Sequence, residues 1–88
     1  MRFGDVFDTL AGGEPKTLEQ ITAEVSGKTG NPESEAVVKA ILTAYVNGLG
    51  FIELRLGTDS PDTYILTDAG RERIEYNERI AKYRMGHK

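Results

Sequence analysis

The sequence contains no cysteine, and that absence removes disulfide staples, thiolate nucleophiles and zinc-thiolate sites together. The fold must therefore stand on packing, and a reducing interior is the compartment this usage fits. Histidine is almost as scarce: His87 is the only imidazole, and it lies beside a chain end where a general base cannot be held in place. Ser26, Ser34 and Ser60 accordingly lack the partners of a catalytic triad. No apolar run approaches the roughly 18 residues that a membrane span requires, and the opening Met1-Arg2-Phe3-Gly4-Asp5 has no apolar signal region. The expectation is a cytoplasmic binding protein that is not an enzyme, with no membrane association, no cofactor and no metal.

What is present is a chain of 88 residues, enough for one core and no second domain. A domain this small is only marginally stable alone, so a core shared with a second copy is expected from size. The formal net charge of -3 hides a division. Residues 1–70 hold five Lys or Arg against eleven Asp or Glu, a net of -6, whereas residues 71–88 hold six against three, a net of +3. A polyanion would be repelled by the first part and attracted by the second.

Phe3, Val6, Phe7 and Leu10 recur at helical spacing, and Gly12-Gly13 follows where a left-handed cap would end the helix. Thr17-Leu18-Glu19-Gln20 is a capping box that opens a second helix with Leu18, Ile21 and Val25 as its apolar stripe, ended by Gly27. In the turn cluster Lys28 to Pro32, Asn31 is placed to cap a third helix and Pro32 to occupy its first position. That helix, reaching about Asn47, is apolar almost all the way round and calls for burial on both sides. After Gly48-Leu49-Gly50, the segment Phe51 to Leu56 alternates like a half-buried strand. The turn formers from Gly57 to Asp62 lead to a return strand, Thr63 to Leu66. Thr67 or Asp68 can then cap a last helix from Ala69 toward Arg84.

Three helices, a two-stranded hairpin and a C-terminal helix form an α+β, mainly helical order that resembles the winged helix-turn-helix superfamily. Val6-Phe7-Asp8-Thr9-Leu10 through Thr17-Leu18-Glu19-Gln20-Ile21 looks like its first two helices, and Leu49-Gly50-Phe51-Ile52 like the junction of recognition helix and wing. Tyr64-Ile65-Leu66-Thr67-Asp68-Ala69-Gly70-Arg71 is similar to the strand-to-helix step of MarR-like and PadR-like regulators, where a small Gly lets the last helix approach the sheet. Residues 38–47 and the following hairpin also resemble the small winged-helix protein accompanying dissimilatory sulfite reductase. The domain is expected over residues 1–76, with residues 77–88 as a basic helical extension.

The resemblance implies double-stranded DNA as partner and a dimer as the working form. Two departures stand against a simple transfer. The interval from Gly27 to Gly50 is longer than in compact family members. Where the family sets Ser, Thr, Arg, Lys or Gln on the exposed first turns of helix 3, this chain has Glu33, Ser34, Glu35, Val37 and Ala40. The wing tip carries Asp59 and Asp62. Candidate nucleic-acid contacts are therefore Lys28 and Lys39 near the backbone and, in the basic segment, Arg71, Arg73, Arg79, Lys82 and Arg84, interleaved with Tyr76 and Tyr83. A competing reading pairs these cations with Glu72, Glu75 and Glu78 at helical spacing and with the helix dipole. Ile74, Ile80 and Tyr83 form a narrow seam of the kind MarR-like domains use to dimerise. The alternative to DNA binding is an acidic interaction module that docks on a basic protein partner. Asp5 with Asp8 and Asp59 with Asp62 have too few oxygen ligands around them for a cation loop and read as solvated surface.

Overall fold

The computed structural model describes residues 2–86. Helix α1, Phe3–Asp8, opens where the Arg2 backbone N–H donates to Asp5 Oδ2 at 2.9 Å. A turn follows and closes at Gly13, whose φ of 82° is the left-handed conformation expected there. Lys16–Thr17 form a short strand, β1, that runs directly into α2, Leu18–Thr29. The expected capping box is present: the Gln20 backbone N–H donates to Thr17 Oγ1 at 3.1 Å, and the Thr17 N–H to Gln20 Oε1 at 2.9 Å.

Gly27 does not end α2. The helix runs on to Thr29, and Gly30, at φ 75°, supplies the left-handed cap. Gly27 keeps an ordinary helical backbone, so nothing in its conformation requires a stop. Nor does the third helix begin at Pro32. α3 spans Glu35–Ala44, because Ser26 Oγ accepts from the Glu33 backbone N–H at 3.0 Å and holds the preceding residues in a loop. The chain then widens into a π-helical segment, Tyr45–Leu49, closed by Gly50 at φ 67°.

α3 is buried on one side only. Val38, Ile41 and Leu42, with Tyr45 beyond them, enter the core, whereas Ala36, Ala40 and Ala44 are exposed and Val37 is 49% exposed. One turn of period 3.6 can turn only one face to a core this small, and alanine costs little in water. The expectation of burial all round is thereby corrected.

β2, Ile52–Arg55, pairs antiparallel with β3, Thr63–Leu66, and β3 pairs on its other side with β1, giving the order β1-β3-β2. The two-residue β1 is too short to alternate, which hid it in the sequence. The central β3 buries Tyr64, Ile65 and Leu66 alike. On the edge strand β2 only Ile52 is buried, and Leu54 and Leu56 are 38% and 77% exposed. These two leucines, expected on the covered face, lie beyond the reach of the core.

α4, Asp68–Gly86, is one uninterrupted helix. Thr67 Oγ1 accepts from the Gly70 backbone N–H at 3.1 Å and donates to the Gly50 carbonyl at 2.6 Å, tying the start of α4 to the end of the π segment. A Cβ at Gly70 would collide with the Phe51 carbonyl, so close approach requires glycine there. The core gathers Val6, Phe7 and Leu10 of the first segment, Ile21 and Val25 of α2, the inner side of α3, and Ile52, Tyr64, Leu66 and Ile74. Phe7 stacks on Tyr45 at 4.8 Å between ring centroids. Beyond Ile74 every α4 side chain described is exposed except the half-buried Ile80. The molecule measures 51 × 30 × 21 Å.

Candidate nucleic-acid interface

α3 and the β2–β3 hairpin flank a concavity of 290 Å³ floored by Leu18, Leu54, Pro61 and Tyr64. Three charged side chains line it: Lys39 from α3, Glu19 from the first turn of α2, and Asp62 from the hairpin. Lys39 is exposed here and joins no ion pair among the described residues. Asp62 shapes the hairpin loop, since its Oδ1 accepts from the Gly57 backbone N–H at 2.9 Å. Burial, and then the Asp62 charge, raise the Tyr64 phenol above its usual pKa. The Tyr45 phenol is raised by burial first and then by Asp8, with Arg73 opposing. Neither phenol is thereby prepared for chemistry near neutrality.

Lys28 is engaged elsewhere. Its Nζ lies 3.3 Å from Asp8 Oδ2, joining the end of α2 to α1. With both partners about half exposed, the pair is worth about 0–1 kcal/mol and leaves the lysine exchangeable. Lys16, which was not singled out from sequence, is a structural cation: its Nζ donates to the Thr9 carbonyl at 2.6 Å and meets Glu24 at 2.7 Å.

Arg71, Arg73, Arg79, Lys82 and Arg84 are all exposed along α4. The pairing expected with Glu72, Glu75 and Glu78 is not formed: among the described residues none of these five cations makes an ion pair within 4 Å. Exposed pairs at helical spacing are worth only about 0.3–0.5 kcal/mol, less than the freedom two long side chains give up. Arg73 instead lies over the Tyr76 ring, 5.1 Å from its centroid. Arg71 borders a second concavity, of 410 Å³, between α4 and the Gly12-Gly13 turn, where Glu75 and Glu78 also lie.

The proposed seam is divided. Ile74 is only 9% exposed and belongs to the intramolecular core, whereas Tyr83 is 68% exposed. Tyr76, Ile80 and Tyr83 share one side of α4 with Arg79 and Arg84. His87 and Lys88 lie outside the described residues. No group of three or more His, Cys, Asp or Glu side chains able to hold a metal occurs among the described residues, and no helix there is long and apolar enough to cross a membrane. The feature missed from sequence is the groove itself, because Leu54 sits at an alternating position that reads as core.

A helix pair α2–α3 with a hairpin beside it and a closing helix behind makes this a winged helix-turn-helix fold, the β2–β3 hairpin being the wing. No family model matches the sequence, and no curated protein matches it. Among solved structures, the chain is similar to one described as "the complex structure of hsRosR-S1", with a TM-score of 0.74 at 20% identity over 94% of this chain and 75% of that one. A second, "the complex structure of hsRosR-S4", gives 0.73 at 20% identity, covering 94% and 73% respectively. At such identity the likeness is one of fold.

Proposed function

We propose that this chain is a cytoplasmic winged-helix DNA-binding protein of the MarR-like or PadR-like kind, a transcriptional regulator that works as a dimer and is not an enzyme. The observation that carries this reading is the state of the α4 cations. Among the described residues Arg71, Arg79, Lys82 and Arg84 stand exposed with no ion pair, although three glutamates share their helix. Such cations can neutralise phosphates and release counterions without first breaking an internal pair. α3 contributes less than in a typical winged helix. Lys39 is its one cation, and Glu19 and Asp62 stand beside it where a phosphate would approach. Attraction therefore begins at α4, and α3 with the wing follows into or beside the major groove.

Fluorescence anisotropy with random duplex DNA tests this. Association at micromolar concentration or tighter, weakening steeply with salt, is expected, and no association at low salt would overturn the reading. In the double variant Arg71→Gln/Lys82→Gln the slope of log K against log salt is expected to flatten by about 2, close to 0.9 for each lost phosphate contact. An unchanged slope would remove α4 from the interface. One observation favours a second reading, an interaction module that does not bind DNA: the α3–wing groove has an apolar floor and is lined by two acids, Glu19 and Asp62, against one base, Lys39, chemistry suited to a basic polypeptide.

A further inference from the structure

Between the end of β2 at Arg55 and the start of β3 at Thr63, residues 56–62 turn the chain at the tip of the wing. A loop of that length samples many shapes in water unless something closes it, and ordering it on binding weakens affinity. Two contacts close this one. Asp62 Oδ1 accepts from the Gly57 backbone N–H at 2.9 Å across the base of the loop. A Cβ at Gly57 would collide with the backbone carbonyls of Ser60 and Pro61, so the chain folds back on residue 57 where only glycine permits it. That crowding is main chain on main chain, and no rotamer change relieves it. Pro61, whose ring fixes its own φ, stiffens the return.

The charges around Asp62 are mixed. Lys39, Glu19 and Asp62 line the concavity between α3 and the wing, and Asp59 is exposed in the same loop. Among the described residues Lys39 makes no ion pair with any of these acids, so Asp62 does not serve to anchor it. Beside a phosphate backbone Lys39 attracts, while Glu19, Asp59 and Asp62 repel. An acid at position 62 is therefore unfavourable by charge and favourable by shape. We propose that Asp62 is a positioning residue for DNA: as a hydrogen-bond acceptor it holds the wing in the form that meets the duplex, and as a charge it restrains the affinity that results. This rests on the DNA-binding reading above and names what fixes the wing that reading uses. Shape and charge are separable here. Asparagine keeps the acceptor without the charge, alanine keeps neither, and Gly57→Ala opens the loop while leaving every charge in place.

The test combines amide hydrogen exchange of the free full chain, read by NMR at Gly57, with anisotropy titrations of random duplex DNA. Circular dichroism and thermal unfolding establish that each variant folds. The Gly57 amide is expected to be protected in the wild type and in Asp62→Asn, and to exchange about tenfold faster in Asp62→Ala. Asp62→Asn is expected to bind DNA roughly threefold to tenfold more tightly than the wild type. Asp62→Ala is expected to bind roughly threefold to tenfold more weakly than Asp62→Asn, and Gly57→Ala to fall below the wild type by a similar factor. Equal affinity of Asp62→Ala and Asp62→Asn would overturn the proposal, leaving position 62 as a charge alone. Wild-type affinity in Gly57→Ala would overturn it too, since the loop's shape would then not matter to DNA. Asp62→Asn binding no more tightly than the wild type would overturn the restraint by charge. An unprotected Gly57 amide in the wild type would overturn the closed loop whatever the DNA titration gives. A wild type protected at Gly57 that binds no DNA would instead overturn the DNA-binding reading, and this proposal with it, while the closed loop stands.

Discussion

Two glycines in helices show how much one absent Cβ can decide. At Gly70 an added methyl would meet the Phe51 carbonyl, a backbone atom that cannot rotate aside. Gly70→Ala is therefore expected to lower stability by about 1–3 kcal/mol or more through overpacking, against the roughly 1 kcal/mol that alanine usually adds to a helix. Gly27 lies within α2 with open space where its Cβ would be and no positive φ. Gly27→Ala should raise stability by about 0.5–1 kcal/mol. Urea midpoints of the two variants are expected to move in opposite directions, and a shift of the same sign in both would refute the packing argument. The Gly70 requirement was legible in sequence as part of a strand-to-helix phrase. The role of Gly27 was not, because a glycine before a turn cluster reads as a stop whether or not Gly30, three residues on, does the capping.

Among elements, the joint between the π segment and α4 holds the winged half of the molecule to the helical half. Thr67 serves both sides of it, capping α4 through Gly70 and bonding the carbonyl of Gly50. Thr67→Ala removes both bonds and is expected to cost about 1–2 kcal/mol. Calorimetry should show this as a fall in Tm of roughly 4–8 °C per kcal/mol, and an unchanged Tm would show that water replaces the hydroxyl without loss. α3 illustrates a limit of periodicity. Its sequence is apolar on nearly every side, yet only Val38, Ile41 and Leu42 are buried along it. The pattern allowed burial on two sides, and a partner for the second side was not available within 88 residues.

For the whole molecule the governing fact is that, among the described residues, core packing along α4 stops at Ile74 while the helix continues to Gly86. Ile74 is the last side chain of α4 in the core, and the net positive charge lies from residue 71 onward. A truncated chain of residues 1–76 is therefore expected to unfold cooperatively with a Tm within about 5 °C of the full chain, since exposed positions contribute about ±0.5 kcal/mol. Noncooperative melting would place essential packing beyond residue 76. The same truncation would remove Arg79, Lys82 and Arg84 from any contact with phosphate. The core and three of the five candidate α4 cations thus lie in different parts of the chain, with Arg71 and Arg73 kept in the truncated form.

Local chemistry was enough for the existence and order of the helices, though not for the end of α2 or the start of α3, and for the Thr17 capping box, the hairpin and the charge division, because each of these depends on residues within a few positions of one another. The three-helix, wing and closing-helix order follows from those signals in sequence. What required the tertiary structure was the allocation of surfaces. Leu54 and Ile52 alternate identically in the sequence, and only the position of β2 at the sheet edge leaves one of them in a groove. Ile74 and Ile80 look equivalent on α4, and only the extent of the body makes one core and the other surface. Burial is a property of what arrives from elsewhere in the chain, so no local pattern could decide it.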